Sequence, residues 1–234
     1  MHISSATFDR SAPDLESCPD ESLPEFAFIG RSNVGKSSLL NMLSGQADLA
    51  RVSPTPGFTK LINIFTMNKT WRLVDLPGYG YAHVAQTDKS QFNCAVMDYL
   101  ENRANLCLVF ALIDAGLEPQ AIDIEFVEWL VRREVPFVLV FTKTDKFAPA
   151  MTEANIAAFT ARIAPWFVQP PAAFTCSAQT GAGRPELLGV IDEQLAAIKA
   201  ESQKTSPPSD SSPNRKTNSD SRKPRPDRAR ARPW

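Results

Sequence analysis

Apolar positions along this chain alternate between short unbroken runs and stripes at helical spacing, a pattern that predicts a strand–helix repeat. His2 to Phe8 alternates apolar and polar residues as an edge strand does, ahead of a polar stretch broken by Pro13, Pro19 and Pro24. Phe26 to Ile29 is the first apolar strand, and Leu39, Leu40, Met42 and Leu43 then form a helical face closed by Gly45. Leu61–Met67 and Trp71–Val74 flank Asn68-Lys69-Thr70 as a hairpin. Phe92, Val96, Tyr99 and Leu100 predict a helix over residues 90–103. Leu106–Ile113 and Phe137–Phe141 are continuously apolar, as parallel strands covered on both faces are. Ile124, Val127, Leu130 and Val131 mark a helix over 121–133, and Ile156, Phe159 and Ile163 another over 152–163. Ala172–Thr175 is a last short strand; Leu187, Leu188, Ile191, Leu195 and Ile198 are the buried stripe of a helix from about Pro185 to Ala200. The sum is α/β: a mostly parallel central sheet with helices on both faces, whose ligand loops lie at the carboxyl ends of strands.

Of the 234 residues 43% are apolar, enough for one substantial core. The expected organisation is an extension over 1–25 that adds the edge strand, one domain over 26–200, and a disordered tail over 201–234. The tail is rich in Ser, Pro, Lys, Arg and Asp and nearly free of apolar residues, so it cannot fold alone. It carries nine Lys/Arg against four Asp/Glu, a net +5, which leaves −6 on the rest of a chain whose formal charge is −1. Arg222 to Arg232 alternates basic residues with Pro and Ala, which suits a flexible contact to a polyanion and equally a solvated tail. Cys18, Cys94, Cys107 and Cys176 form no C-x-x-C pair and read as reduced thiols. The chain does not open on a basic segment followed by an apolar one, and Leu106–Ile113 is far too short to span a bilayer. A cytoplasmic monomer without a membrane partner is expected.

Gly30-Arg31-Ser32-Asn33-Val34-Gly35-Lys36-Ser37-Ser38 fits the phosphate-binding pattern G-x-x-x-x-G-K-S/T and sits between a strand and a helix, as that loop requires. Gly30 and Gly35 permit positive φ, so N–H groups can converge on phosphate oxygens where the helix begins. Lys36 would reach the β- and γ-phosphates, and the Ser37 hydroxyl would bind the magnesium ion bridging them. Asp75, ending a strand ahead of Leu76-Pro77-Gly78-Tyr79-Gly80-Tyr81, stands where a magnesium-associated carboxylate sits; alone, an Asp-x-Pro-Gly turn reads equally well. Ser53-Pro54-Thr55-Pro56-Gly57-Phe58-Thr59 is an irregular loop of the kind that holds function on a rigid sheet. In Thr142-Lys143-Thr144-Asp145, the Asp145 carboxylate can accept from guanine N1–H and the exocyclic amine, a donor pair adenine lacks, while the Lys143 stem covers the base. Cys176-Ser177-Ala178, with Gly181 and Gly183, forms a further loop at the same edge.

The order and spacing of these loops resemble the G-motifs of the translation-factor-related GTPases. More narrowly, G-R-S-N-V-G-K-S-S-L-L-N, S-x-T-P-G-x-T, D-L-P-G-Y-G-Y-A and T-K-x-D-K resemble the EngB family, also called YihA or YsxC, over residues 26 to about 199. The resemblance implies a three-layer P-loop GTPase fold that binds GTP and GDP and hydrolyses GTP. It implies that Thr59 ligates magnesium beside Ser37 and that Gly57, Phe58, Thr59, Lys60 and Leu61 border the nucleotide. Asp75 would hold the ion through water, with Leu76 and Pro77 beside it, and the Gly78 amide would sense the γ-phosphate. Thr142 to Asp145 and Cys176 would line the base, with a backbone amide from Ser177 and Ala178 near guanine O6. Lys36, Asn33, Thr59 and Gly78 are the residues expected around the reaction. Tyr79 stands where Ras-type enzymes place a water-orienting Gln, so slow intrinsic hydrolysis is expected. Asn33 holds the position that ligates a monovalent cation in potassium-activated relatives, so potassium would add positive charge at the transition state. Thr142 replaces a more common Asn. The family's association with large ribosomal subunit assembly, cell division and septation implies ribosomal RNA and protein of a large-subunit precursor as partners. Two other readings stand beside this one: an RNA- or ribosome-binding protein whose nucleotide only sets conformation, and a P-loop ATPase or kinase.

Overall fold

The computed structural model describes residues 1–50, 61–79 and 86–205, with 86–93 and 204–205 as backbone only. Among them the elements run β1 (Ala6–Ala12), β2 (Glu25–Gly30), α1 (Lys36–Ser44), β3 (Ile62–Met67), β4 (Trp71–Asp75), α2 (Gln86–Asn102), β5 (Leu106–Asp114), α3 (Ala121–Arg132), β6 (Phe137–Thr142), α4 (Pro149–Ile163), β7 (Ala173–Thr175) and α5 (Arg184–Thr205). The strands form one sheet in the order β1-β3-β4-β2-β5-β6-β7. β3 pairs antiparallel with both β1 and β4, and every other pairing is parallel. The predicted hairpin is therefore β3–β4, and Asn68 and Lys69 in its turn take left-handed φ of 50° and 58°.

All six residues of β2 are buried, because helices cover the central sheet on both faces. On one face Leu39, Leu40 and Leu43 of α1 and Leu187, Leu188 and Ile191 of α5 pack with Phe28, Phe110 and Trp71. On the other, Val96, Tyr99 and Leu100 of α2, Phe126, Val127 and Leu130 of α3, and Phe159 and Ile163 of α4 pack with Ile29, Val109 and Phe141. Each such fully buried side chain contributes about 1.5–3 kcal/mol. In register, Phe28 lies opposite Asp75 on β4 and Phe110 on β5, and the Phe28 and Phe110 rings stack 4.5 Å apart. No helix among the described residues is long and apolar enough to cross a membrane.

The edge strand exists but lies further along than the His2–Phe8 alternation predicts. The Ser4 and Ser5 amides donate to Asn68 Oδ1 at 2.8 and 3.2 Å, and Asn68 Nδ2 donates to His2 O at 2.8 Å, so the first residues wrap the hairpin turn. Ladder pairing begins only at Ala6 opposite Met67, and Thr7 to Ser11 are exposed. At the pole of the sheet remote from its carboxyl rim, Glu25 is fully buried and accepts from Arg103 at 2.6 and 2.9 Å, from Arg72 at 3.2 Å and from the Tyr99 hydroxyl at 2.7 Å. Arg103 also donates to Pro19 O at 2.8 Å, which ties the segment before β2 to the end of α2.

Candidate functional site

The sequence-predicted loops that the structure describes gather at one rim, at the carboxyl ends of β2, β4, β6 and β7. Gly57, Phe58, Thr59 and Lys60 lie outside the described residues, as do Gly80 and Tyr81; Leu61 is exposed. Gly30, unlike Gly35, does not take the expected positive φ: it ends β2 against β5, and glycine is required there because an added Cβ would stand 2.6 Å from Leu112 O. Asn33 and Gly35 take left-handed φ of 66° and 100°, and Gly35 is the N-cap of α1 with no side-chain cap. The amides of that first turn, over Lys36, Ser37 and Ser38, are left for an anion. Lys36 and Asp75, both buried, form an ion pair through Asp75 Oδ1, while Asn63 Nδ2 approaches Asp75 Oδ2 at 3.5 Å. Val34 and Leu76 turn their side chains into the core and Pro77 is buried, so these three border the rim through backbone alone.

The Asp75–Tyr79 segment is zipped to the phosphate loop. Leu76 N donates to Phe28 O at 3.1 Å, Tyr79 N to Gly30 O at 3.3 Å, and Ser32 N to Tyr79 O at 3.2 Å. Gly78 sits inside this zip, where a Cβ would come within 2.9 Å of Gly30 O. Burial pushes the Tyr79 phenol well above its ordinary range, and the nearby Asp123 charge adds to the shift.

On the base side, Thr142 Oγ1 donates to Val34 O at 2.6 Å, so a hydroxyl couples the two loops where an amide is more common. Lys143, at φ 62°, places Nζ 2.6 Å from both Asn33 O and Asp114 Oδ2, and its stem runs past Gly35. Thr144 Oγ1 donates to Cys176 O at 3.2 Å and joins this loop to the next. Asp145 is exposed, with no hydrogen-bond partner among the described residues. The Ser177 amide is spent on Ala182 O at 3.1 Å, which leaves the Ala178 amide as the one open to a ligand. Burial, with the Asp145 charge, pushes the Cys176 thiol up to about 12, so it packs there as a neutral group.

Three residues here escaped the sequence reading. Asp114 holds Lys143, and Asn63 faces Asp75. Asp123, 1% exposed in the first turn of α3, accepts from Arg31 Nε at 3.0 and 2.9 Å and from Tyr79 at 3.0 Å. Arg31 therefore turns its side chain to α3 and away from the rim. Both aspartates had a signal: Asp114 ends an apolar strand as Asp75 does, and Asp123 opens the α3 stripe Phe126, Val127, Leu130 at helical spacing.

The rim offers converging amides, a buried ammonium, a hydroxyl and carboxylates, a set for a magnesium-associated nucleoside phosphate. Ser37 and Asp75 are hard oxygen donors, and no group of three or more His, Cys, Asp or Glu able to hold a metal occurs among the described residues. That fits magnesium, which takes one or two protein oxygens and fills its shell with phosphate oxygens and water.

Fold and rim together define a P-loop GTPase. Residues 25–143 match the family described as 50S ribosome-binding GTPase. The chain is 46% identical over 192 residues to the probable GTP-binding protein EngB of Bacteroides fragilis, covering 82% of this chain and 96% of that one. The crystal structure of a probable GTP-binding protein EngB superposes with TM-score 0.57 at 24% identity, over 74% of this chain and 99% of the other. Era, in a complex with MgGDPNP and nucleotides of 16S ribosomal RNA, superposes with TM-score 0.55 at 22% identity, over 73% of this chain and 56% of Era. The chain belongs to the EngB family of GTP-binding proteins, and it is a GTPase.

Proposed function

We propose that this GTPase is a nucleotide-controlled switch in the assembly of the large ribosomal subunit, acting in the cytoplasm as a monomer and needed for normal cell division and septation. Residues 26–200 are its G domain, with the last helix, α5, running on to Thr205 and so into the stretch expected as tail. The observation that carries the nucleotide part is the meeting, at one rim, of the uncapped α1 amides, the Lys36 ammonium and the exposed Asp145 carboxylate, which has no hydrogen-bond partner among the described residues. Gly30 to Ser38 wrap the phosphates, and Lys36 exchanges Asp75 for β- and γ-phosphate oxygens. Asp145 accepts from the guanine edge, Lys143 covers the base, and the Ala178 amide faces O6. Ser37, Thr59 and Asp75 are the residues that would hold magnesium, which would neutralise charge on the phosphate oxygens. Thr59 and Gly78 answer to the γ-phosphate, so the loops that carry them differ between the GTP and GDP states.

Hydrolysis in this scheme is positioning and charge neutralisation without a covalent intermediate. It is slow because Tyr79 offers no group to orient water. The Asn33 side chain, exposed and without a protein partner among the described residues, is the proposed ligand of a potassium ion that supplies further positive charge.

A ribosomal precursor as partner is supported by the description of the matched family, by ribosomal RNA bound to Era, and by the +5 tail. Co-sedimentation with large ribosomal subunits tests this, in GDP and in a non-hydrolysable GTP analogue, with and without residues 201–234. The full chain is expected to pellet in the analogue and to stay in solution in GDP. Equal pelleting in both nucleotides contradicts the switch. Loss of pelleting on truncation makes the tail a contact, and unchanged pelleting makes it a solvated extension.

A further inference from the structure

The Tyr79 phenol does not face the phosphate rim. It donates to Asp123 Oδ1 at 3.0 Å, and its ring packs on Phe126 with centroids 4.6 Å apart. The same carboxylate takes Arg31 Nε on both oxygens, at 3.0 and 2.9 Å. One buried group on α3 thus grips the phosphate loop and the segment carrying Gly78 together. The backbone repeats the grip, since Arg31 and Tyr79 form a parallel bridge flanking the confined Gly78. A buried carboxylate costs several kcal/mol unless paired, and the α3 stripe that Asp123 opens is otherwise apolar. Packing alone would be served by an apolar residue at 123, so the carboxylate is explained by the two groups it orients.

We propose that Asp123 is a positioning residue for GTP hydrolysis: by holding the Arg31 guanidinium and the Tyr79 phenol on the α3 side of the phosphate loop, it fixes the Gly78 amide and keeps the phenol out of the space of the γ-phosphate and attacking water. The proposal rests on the nucleotide site described above. Tyr79 acts through Asp123 and is not a catalytic residue. GDP, which lacks the γ-phosphate, is bound independently of the clamp.

The test is a double-mutant cycle of Asp123→Ala and Tyr79→Phe on the full chain, with Asp123→Asn as the conservative variant. Each protein is measured for GDP affinity, for affinity toward a non-hydrolysable GTP analogue, and for single-turnover hydrolysis. Loss of the clamp is expected to lower single-turnover hydrolysis roughly ten- to hundredfold and to lower the analogue-to-GDP affinity ratio, with GDP affinity within about twofold of the parent. Asp123→Asn, which still accepts one hydrogen bond from each partner, falls between. Tyr79→Phe costs nothing further once Asp123 is alanine. Unchanged hydrolysis in the single variants overturns the proposal, and so do additive losses in the double variant. Should Asp123→Ala not fold, Tyr79→Phe and Asp123→Asn and their combination decide by the same criteria. Failure of the parent itself to bind GDP would instead overturn the nucleotide site.

Discussion

At Thr142 a single buried hydroxyl joins the base loop to the phosphate loop, through Val34 O at 2.6 Å. The replacement of Asn at this position was visible in the sequence; the reason it works was not, because it depends on Val34 O, far away in sequence, arriving at hydroxyl distance. Thr142→Val keeps the shape and leaves that carbonyl without its donor, which should cost about 1–3 kcal/mol of unfolding free energy. The loss would be read as a lower denaturant midpoint at unchanged slope, together with weaker GDP binding. Thr142→Ser should recover most of both. A Thr142→Val protein as stable as the parent would remove the hydroxyl from this account.

Among the elements, β2, β5 and β6 could be read almost to the residue, because strands covered on both faces must be apolar throughout. β1 could not. Only its end residues Ala6 and Ala12 are buried, and its start is set by Asn68 in a turn it meets only in the folded sheet. α4 starts at Pro149, earlier than its apolar stripe suggests, because proline suits the first helical turn. The anchoring of α2 was equally hidden: Glu25 opens β2, Arg72 lies on β4, and Tyr99 and Arg103 stand at the end of α2, three segments far apart in sequence. Burial pushes the Glu25 carboxyl up, but the hydrogen bonds from Arg103 and Tyr99 and the Arg103 charge outweigh it, so its pKa lies below the usual 4.5. A carboxylate held below its unfolded value adds stability that is full above that value and is lost as pH falls through the folded one. Melting temperature should therefore drop with acidification below about pH 4.5, and Glu25→Gln should drop less over that interval. The same variant should cost about 3–5 kcal/mol at pH 7, since it leaves two buried arginines underpaired. Parallel pH profiles for the two proteins would contradict this assignment.

For the whole molecule, the sequence placed the loops on the right strands because each motif follows an apolar run, and the sheet brings those run-ends to one rim. What it did not disclose is how the loops are held to one another. Asp114, Asn63 and Asp123 are single polar residues that look like an ordinary strand-end, strand and helix-start residue until tertiary contacts supply Lys143, Asp75, Arg31 and Tyr79. The site's identity is thus local in sequence, while its rigidity is not. The central claim is that this rim seats a guanine nucleotide, and titration calorimetry of the full chain with magnesium tests it most directly. The account predicts one-to-one binding of GDP and of a non-hydrolysable GTP analogue and no heat with ATP. It also predicts an Asp145→Ala variant weakened roughly a hundredfold or more toward GDP, from two hydrogen bonds to a charged group. Absence of heat with either guanine nucleotide, or ATP binding as tightly as GDP, would contradict it.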